Sequence, residues 1–315
     1  MKKYYRIIGA VILAILLSRI DYRELMKCFS NLNINSLLLI NLCILPALSL
    51  KVCRWKYILR LQGIEYPFFD SLVSYLGGVF AGLVSPGRTG EMIKAVYLRN
   101  EKQVTVGRGV ASVFLDRLFD FYVLAMLGYW GVFHFFSLSH KLFSLCAFFV
   151  MFILFPALIM SNNFLFKRVA EALYNLMFLK LDNRLFTGQI KEFLGAVKIS
   201  IVGRGIWLPI VFTALSYAFH FLESFLLARL LLIDISFLTI VCFISISNIA
   251  CLLPVTILGM GTRELSLVSL FSLVGLKAES AIAYSFILFF SFYTIPGLLG
   301  FIGWTIKEKA RKATN

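Results

Sequence analysis

The chain is short of charge. Only 15% of its 315 residues are Asp, Glu, Lys or Arg, where a soluble domain carries about a quarter. With 60% hydrophobic residues, that shortage excludes an ordinary water-soluble globule. Histidine is scarce, with three in the chain, which argues against a zinc or haem centre. The six cysteines are Cys28, Cys43, Cys53, Cys146, Cys242 and Cys251. Most sit inside apolar runs without CxxC spacing, so they read as small core side chains and not as a disulfide frame or metal site. Also lacking are a nucleotide-binding glycine motif, an acidic DDxxD-type metal cluster and a nucleophilic Ser or Cys motif. No metal, no cofactor and no enzymatic activity is therefore expected. Acidic residues are few beside basic ones, 16 against 31, for a net charge of +15. No RNA- or DNA-binding module accompanies that charge. Lys and Arg gathered in cytoplasmic loops of a membrane protein account for it.

What is present is a series of apolar runs. A spanning helix needs about 20 apolar residues, so a chain of this length holds roughly eight crossing or half-crossing segments. The expected fold is all-α: a polytopic membrane helical bundle forming a single integral membrane domain over 1–315. The N-terminal MKKYYRIIGAVILAILLSRI has the basic start and apolar run of an uncleaved signal anchor. Spans are expected at 4–20 and 36–53, followed by a strongly basic stretch with Lys51, Arg54, Lys56 and Arg60. That stretch sets the orientation, with both termini in the cytoplasm. Apolar segments follow at 66–84, 92–98, 109–138, 142–161, 205–231, 235–258, 265–276 and 280–305. The region 162–204 is the one long polar connection. It reads as a cytoplasmic amphipathic helix lying on the membrane surface or as a solvated helical hairpin.

Two segments are broken by turn residues. The first, Ser85 to Glu91, contains Pro86, Gly87, Arg88 and Gly90. The second, Leu253 to Glu264, contains Pro254, Gly259, Gly261 and Arg263. Proline and glycine together end a helix and permit a tight turn. Unwound backbone at membrane depth needs protein or a water-filled cavity to satisfy it. By the sidedness above, the first hairpin enters from the cytoplasm and the second from outside. That arrangement points to an inverted repeat with a central site, the half-length segments being re-entrant or full spans. Arg in lipid costs about 3 kcal/mol or more unless paired or wetted, and guanidinium matches phosphate bidentately. Arg88 and Arg263, with Glu91 and Glu264 beside them, are therefore candidate headgroup-binding residues. The competing reading pairs Arg88 with Glu91 and Arg263 with Glu264 or Asp120, locking the fold.

Two further clusters carry charge. Asp116 and Asp120 are four apart and share a helix face, with Arg117 between them. They are proton carriers, or else ion-pair partners of Lys94 or Arg108. His220 and Glu223 are three apart on another helix, either a proton relay or a hydrogen-bonded packing pair.

These residues carry a resemblance. The chain resembles the flippase-like transmembrane domain of bacterial lysylphosphatidylglycerol synthases and its stand-alone relatives. The family's Pro-x-Arg-x-Gly-Glu signature is matched by Pro86, Arg88, Gly90 and Glu91. Its acidic-Arg-x-x-Asp helix is matched by Asp116, Arg117 and Asp120. Its last signature is matched by Pro254, Gly259, Gly261, Arg263 and Glu264. Order and spacing agree over nearly the whole chain, although Ile257-Leu258 stands where the family often has Pro-Gly. The resemblance implies movement of an anionic lipid or lipid-linked headgroup between leaflets of a bacterial or archaeal cytoplasmic membrane. The soluble aminoacyl-transfer domain of the synthases is not expected, because the chain ends at Asn315. An accessory subunit for a synthase or glycosyltransferase partner, and a membrane-embedded lipid-modifying enzyme, are the alternatives.

Overall fold

The computed structural model describes residues 5–30, 32–135, 183–202, 204–252 and 259–314. Among them every regular element is a helix. The first half runs α1 (Tyr5–Ser18), α2 (Tyr22–Ser30), α3 (Ile34–Asn41), α4 (Ile44–Leu61), α5 (Phe68–Leu83), a 3-10 turn (Pro86–Met92), α6 (Ile93–Lys102) and α7 (Val106–Phe135). The second half runs α8 (Asn183–Val202), α9 (Trp207–Leu230), α10 (Phe237–Leu252), α11 (Thr262–Ser272), α12 (Ala278–Phe289), a π turn (Phe290–Thr294) and α13 (Ile295–Thr314). Among the described residues, three stretches are long and apolar enough to cross a membrane: Ile34–Leu61, Trp207–Leu230 and Ala278–Lys309. The expected segment 142–161, the first part of the 162–204 connection and Pro254 lie outside the described residues.

Local chemistry sets the helix ends. Asn33 caps α3 by accepting from the backbone N–H groups of Asn35 and Ser36. Gly63, at φ 71°, ends α4 and returns the Ile64 N–H to the Leu59 carbonyl at 2.9 Å. Pro86 opens the 3-10 turn just past α5, where a proline cannot continue a helix.

Three expectations need correction. The stretch 21–35, left between the expected spans 4–20 and 36–53, is helical in part: α2 forms there because Leu25 buries into the core while Glu24 and Lys27 pair on the outer face. The second span does not end at residue 53, and the basic stretch after it is not fully exposed. Helix α4 runs through it to Leu61, turning Trp55, Ile58 and Leu59 inward and burying Arg54 completely. The last span is interrupted by the π turn, which inserts an extra residue into the helical ladder.

The helices that flank the two breaks are matched in length. Helices α5 and α6 have 16 and 10 residues around the first break, and α10 and α11 have 16 and 11 around the second. Helix α4 packs against α9. The short helix of each half packs on the long helix of the other, α5 on α13 and α10 on α7. Glycines spaced three apart open both crossings. A Cβ at Gly300 or Gly303 would meet Leu76 O at 2.6 Å or Leu76 Cβ at 2.9 Å, and one at Gly131 would meet Cys242 Cβ at 2.6 Å. The polar turns gather at two ends. At one end Lys277 pairs with Glu24 at 3.7 Å, and the Asp21 N–H donates to Glu279. At the other, Lys307 donates to Glu101 at 2.8 Å and to the Tyr66 hydroxyl at 3.1 Å. The described part of the 162–204 connection is α8, which buries Ile190, Ala196 and Val197 and packs on α7.

Candidate functional site

Helix α7 contributes Asp116, which is fully buried, and Asp120, which is nearly so. Their spacing of four puts both on the face turned toward α4. Arg54 meets them with a fork: Nε donates to Asp116 at 2.9 Å and Nη1 donates to Asp120 at 2.8 Å. Nη1 also donates to the Thr213 hydroxyl of α9 at 3.0 Å. One guanidinium thus joins three helices, a geometry that only a planar five-donor group can provide.

The network continues into the first break. Lys94 lies 3.2 Å from Asp116 and 3.6 Å from Glu91. Arg117 reaches Glu91 at 2.9 Å and Asp120 at 3.3 Å, and donates to the Tyr75 hydroxyl. Lys51 stands 3.9 Å from Asp120 and 4.9 Å above the Tyr217 ring. Four cations (Lys51, Arg54, Lys94 and Arg117) therefore meet three carboxylates (Glu91, Asp116 and Asp120), an excess of one positive charge. Glycines of α5 make the room. A Cβ at Gly78 would lie 2.7 Å from Lys94 Cγ, and one at Gly82 would lie 2.6 Å from Glu91 Cγ. Gly90 is stricter still, because its Cβ would fall on the Ala81 carbonyl. Of the two ion partners expected for the aspartates, Lys94 is present. Arg108 instead donates to the Gln62 carbonyl.

Arg88 stands apart from this network. It is accessible and takes φ 57°, a left-handed backbone conformation that a non-glycine residue seldom adopts. Among the described residues no carboxylate lies within ion-pair distance of it, so the expected Arg88–Glu91 pair is not formed. Its guanidinium carbon instead lies 5.5 Å from the Tyr293 ring centroid. Arg263, from the second break, approaches the same ring at 5.3 Å and Phe289 at 5.0 Å. Both signatures thus converge on one tyrosine, and that tyrosine sits in the π turn.

Glu264 holds Arg263 in place. Its Oε1 accepts from Arg263 Nη2 at 2.5 Å and from the Ser285 hydroxyl at 2.8 Å. Its Oε2 accepts from the Gly261 N–H at 2.6 Å and so caps α11. Gly261 at φ 85° and Gly259 at φ 71° make the turn that permits this. Arg263 Nε donates to Ser285, whereas its Nη1 is buried with no hydrogen-bond partner among the described residues. His220 packs edge-on against Tyr217 and lies 4.2 Å from the Phe292 ring. Glu223 is wholly buried, and the expected hydrogen bond between the two is not formed.

Sequence reasoning found Arg88, Glu91, Asp116, Arg117, Asp120, Arg263 and Glu264 and missed Arg54, Tyr75, Tyr293 and Ser285. Arg54 sits in a basic run that looks topological, and the aromatic residues are lost among 16% aromatics. The one available signal was the Asp116–Asp120 spacing, which calls for a cation on a facing helix.

The chain is similar to the UPF0104 membrane protein MJ1595 of Methanocaldococcus jannaschii, with 22% identity covering 96% of this chain and 94% of that protein. The family model for the lysylphosphatidylglycerol synthase TM region matches residues 6–300, a span that takes in both breaks, the α7 cluster and the π turn. The chain is a membrane protein and belongs to the lysylphosphatidylglycerol synthase TM region family.

Proposed function

We propose that the protein is a flippase-like transporter that moves an anionic lipid or lipid-linked headgroup between leaflets. The headgroup phosphate would bind Arg88 and Arg263 over Tyr293. The observation that carries this reading is the meeting of both arginines on one ring, Arg88 with no carboxylate partner among the described residues and Arg263 with an unused buried Nη1. A phosphate supplies the acceptors these groups need. The excess positive charge of the adjoining network favours an anion further. Glu91 and Glu264 act by orienting cations, since each is already engaged by them.

The tail stays in lipid while the headgroup crosses, with the two halves rocking about the fixed site. The protein is a multi-pass component of a bacterial or archaeal cytoplasmic membrane, with both termini on the cytoplasmic side. A catalytic role is disfavoured because Glu91, Asp116 and Asp120 are all held by cations, leaving no free general base in the network.

The test uses purified full-length protein in vesicles containing acyl-labelled fluorescent phosphatidylglycerol, with dithionite quenching of the outer leaflet. The wild type should expose inner-leaflet lipid to the quencher. Arg88→Ala should slow that exposure at least about tenfold, a loss of about 1.4 kcal/mol of stabilisation, while eluting as folded protein. Equal rates for the two proteins would overturn the assignment.

A further inference from the structure

Helix α9 carries a polar stripe that the arginine site does not use. Thr213, Ser216, His220, Glu223 and Ser224 recur at helical spacing, four of them buried and His220 partly so, in a helix that is mostly apolar ahead of Arg229. The hydroxyls are satisfied by backbone carbonyls: Thr213 donates to Pro209 O, Ser216 to Ala47 O and Ser224 to His220 O. Glu223 is not satisfied. It is 0% exposed, and both of its carboxyl oxygens lack a hydrogen-bond partner among the described residues. His220, one turn earlier, has an unpartnered Nε2, and Asn41 on the packed α3 has an unpartnered Oδ1.

A carboxylate with no donor and no cation is not stable in such a place, whereas a neutral carboxylic acid is. The charged groups of the neighbouring elements act on His220 and not on Glu223. Lys51 of α4, Asp120 of α7 and Arg88 of the first break face His220. Toward Glu223 the titratable neighbours are Cys43, ahead of α4, and Tyr284 of α12. No charged side chain among the described residues acts on Glu223 itself. Nor is there a cluster of three His, Cys, Asp or Glu residues there to hold a metal ion, among the described residues. At the opposite end of the stripe, Thr213 accepts from Arg54 of the ion network, about 15 Å along the helix axis.

The geometry points to Glu223 as the proton-carrying residue of the transport cycle, loaded as a carboxylic acid while buried and emptied to water when the two halves move apart. This rests on the lipid-transport reading. In the step, the acid O–H bond breaks, the proton passes to water on one side of the membrane, and the carboxylate regains a proton from water on the other. The driving ion is then H⁺ and not a metal cation.

The experiment has two arms, both on full-length protein in vesicles. In the first, movement of acyl-labelled phosphatidylglycerol is recorded under pH gradients of either polarity. The wild-type rates should differ severalfold between polarities, and in Glu223→Gln, which mimics the loaded state in shape, the ratio should fall to one. An unchanged ratio in Glu223→Gln, or a wild-type response to a sodium gradient alone, overturns the proposal. In the second arm, infrared spectroscopy at neutral pH should show a carboxylic acid C=O band that Glu223→Gln removes. Absence of that band overturns the proposal even if no lipid moves. A wild type that moves no lipid but shows the band defeats the transport reading and leaves Glu223 a proton-binding residue outside a transport cycle, which also overturns the coupling.

Discussion

Arg54 holds two aspartates of α7 and a threonine of α9 at once. Removing it would take from Asp116 and Asp120 their closest donors and leave only the longer contacts of Lys94, Arg117 and Lys51. Breaking a buried pair from one side costs about 3–5 kcal/mol, so Arg54→Ala should lower the thermal midpoint in detergent sharply. Arg54→Lys should recover only part of the loss, because an ammonium cannot reach both carboxylates with parallel donors. A full recovery by Lys would show that charge alone matters. The candidate site was half legible at this scale. Arg88, Glu91, Arg263 and Glu264 stand out because they follow Pro and Gly in apolar sequence. Arg54 does not, since three other cations lie within six residues of it and nothing local says which one turns inward. Tyr293 is one aromatic among many, and its importance comes from a turn that brings it under two arginines.

Among the helices, the close crossings depend on missing side chains. Gly300 lets α13 approach the α5 backbone, and Gly131 does the same for α7 against α10. Gly300→Val should cost about 1–3 kcal/mol through overpacking. In contrast, a Cβ at Gly195 on α8 meets nothing within 4 Å. Gly195→Ala should therefore stabilise α8 by about 0.5–1 kcal/mol. Paired thermal melts of the two variants check both signs. The break at Pro86 was readable because proline and two glycines leave a helix no continuation. The π turn was not, because it arises where α12 and α13 must bend within one apolar run. Helix α2 was missed because its apolar face is short and its net charge looks like a loop.

For the whole molecule, helices of similar length flank the two breaks, and a short helix of each half packs on a long helix of the other. Apolar run lengths made the all-helical class legible. Which run packs on which was not, because crossings are set by glycine positions on two distant segments. The orientation proposed from charge is open to a direct labelling test. In a background freed of its native cysteines, Asp234→Cys should react with an impermeant maleimide on intact cells, and Lys102→Cys should react only after permeabilisation. The reverse pattern would invert the orientation. The central claim is that the two signatures form one anion site over Tyr293. A double-mutant cycle of Arg88→Gln and Arg263→Gln on phosphatidylglycerol binding, read by native mass spectrometry, tests it most directly. One shared phosphate predicts a coupling of about 0.5–3 kcal/mol between the two changes. Strictly additive losses would contradict a common site.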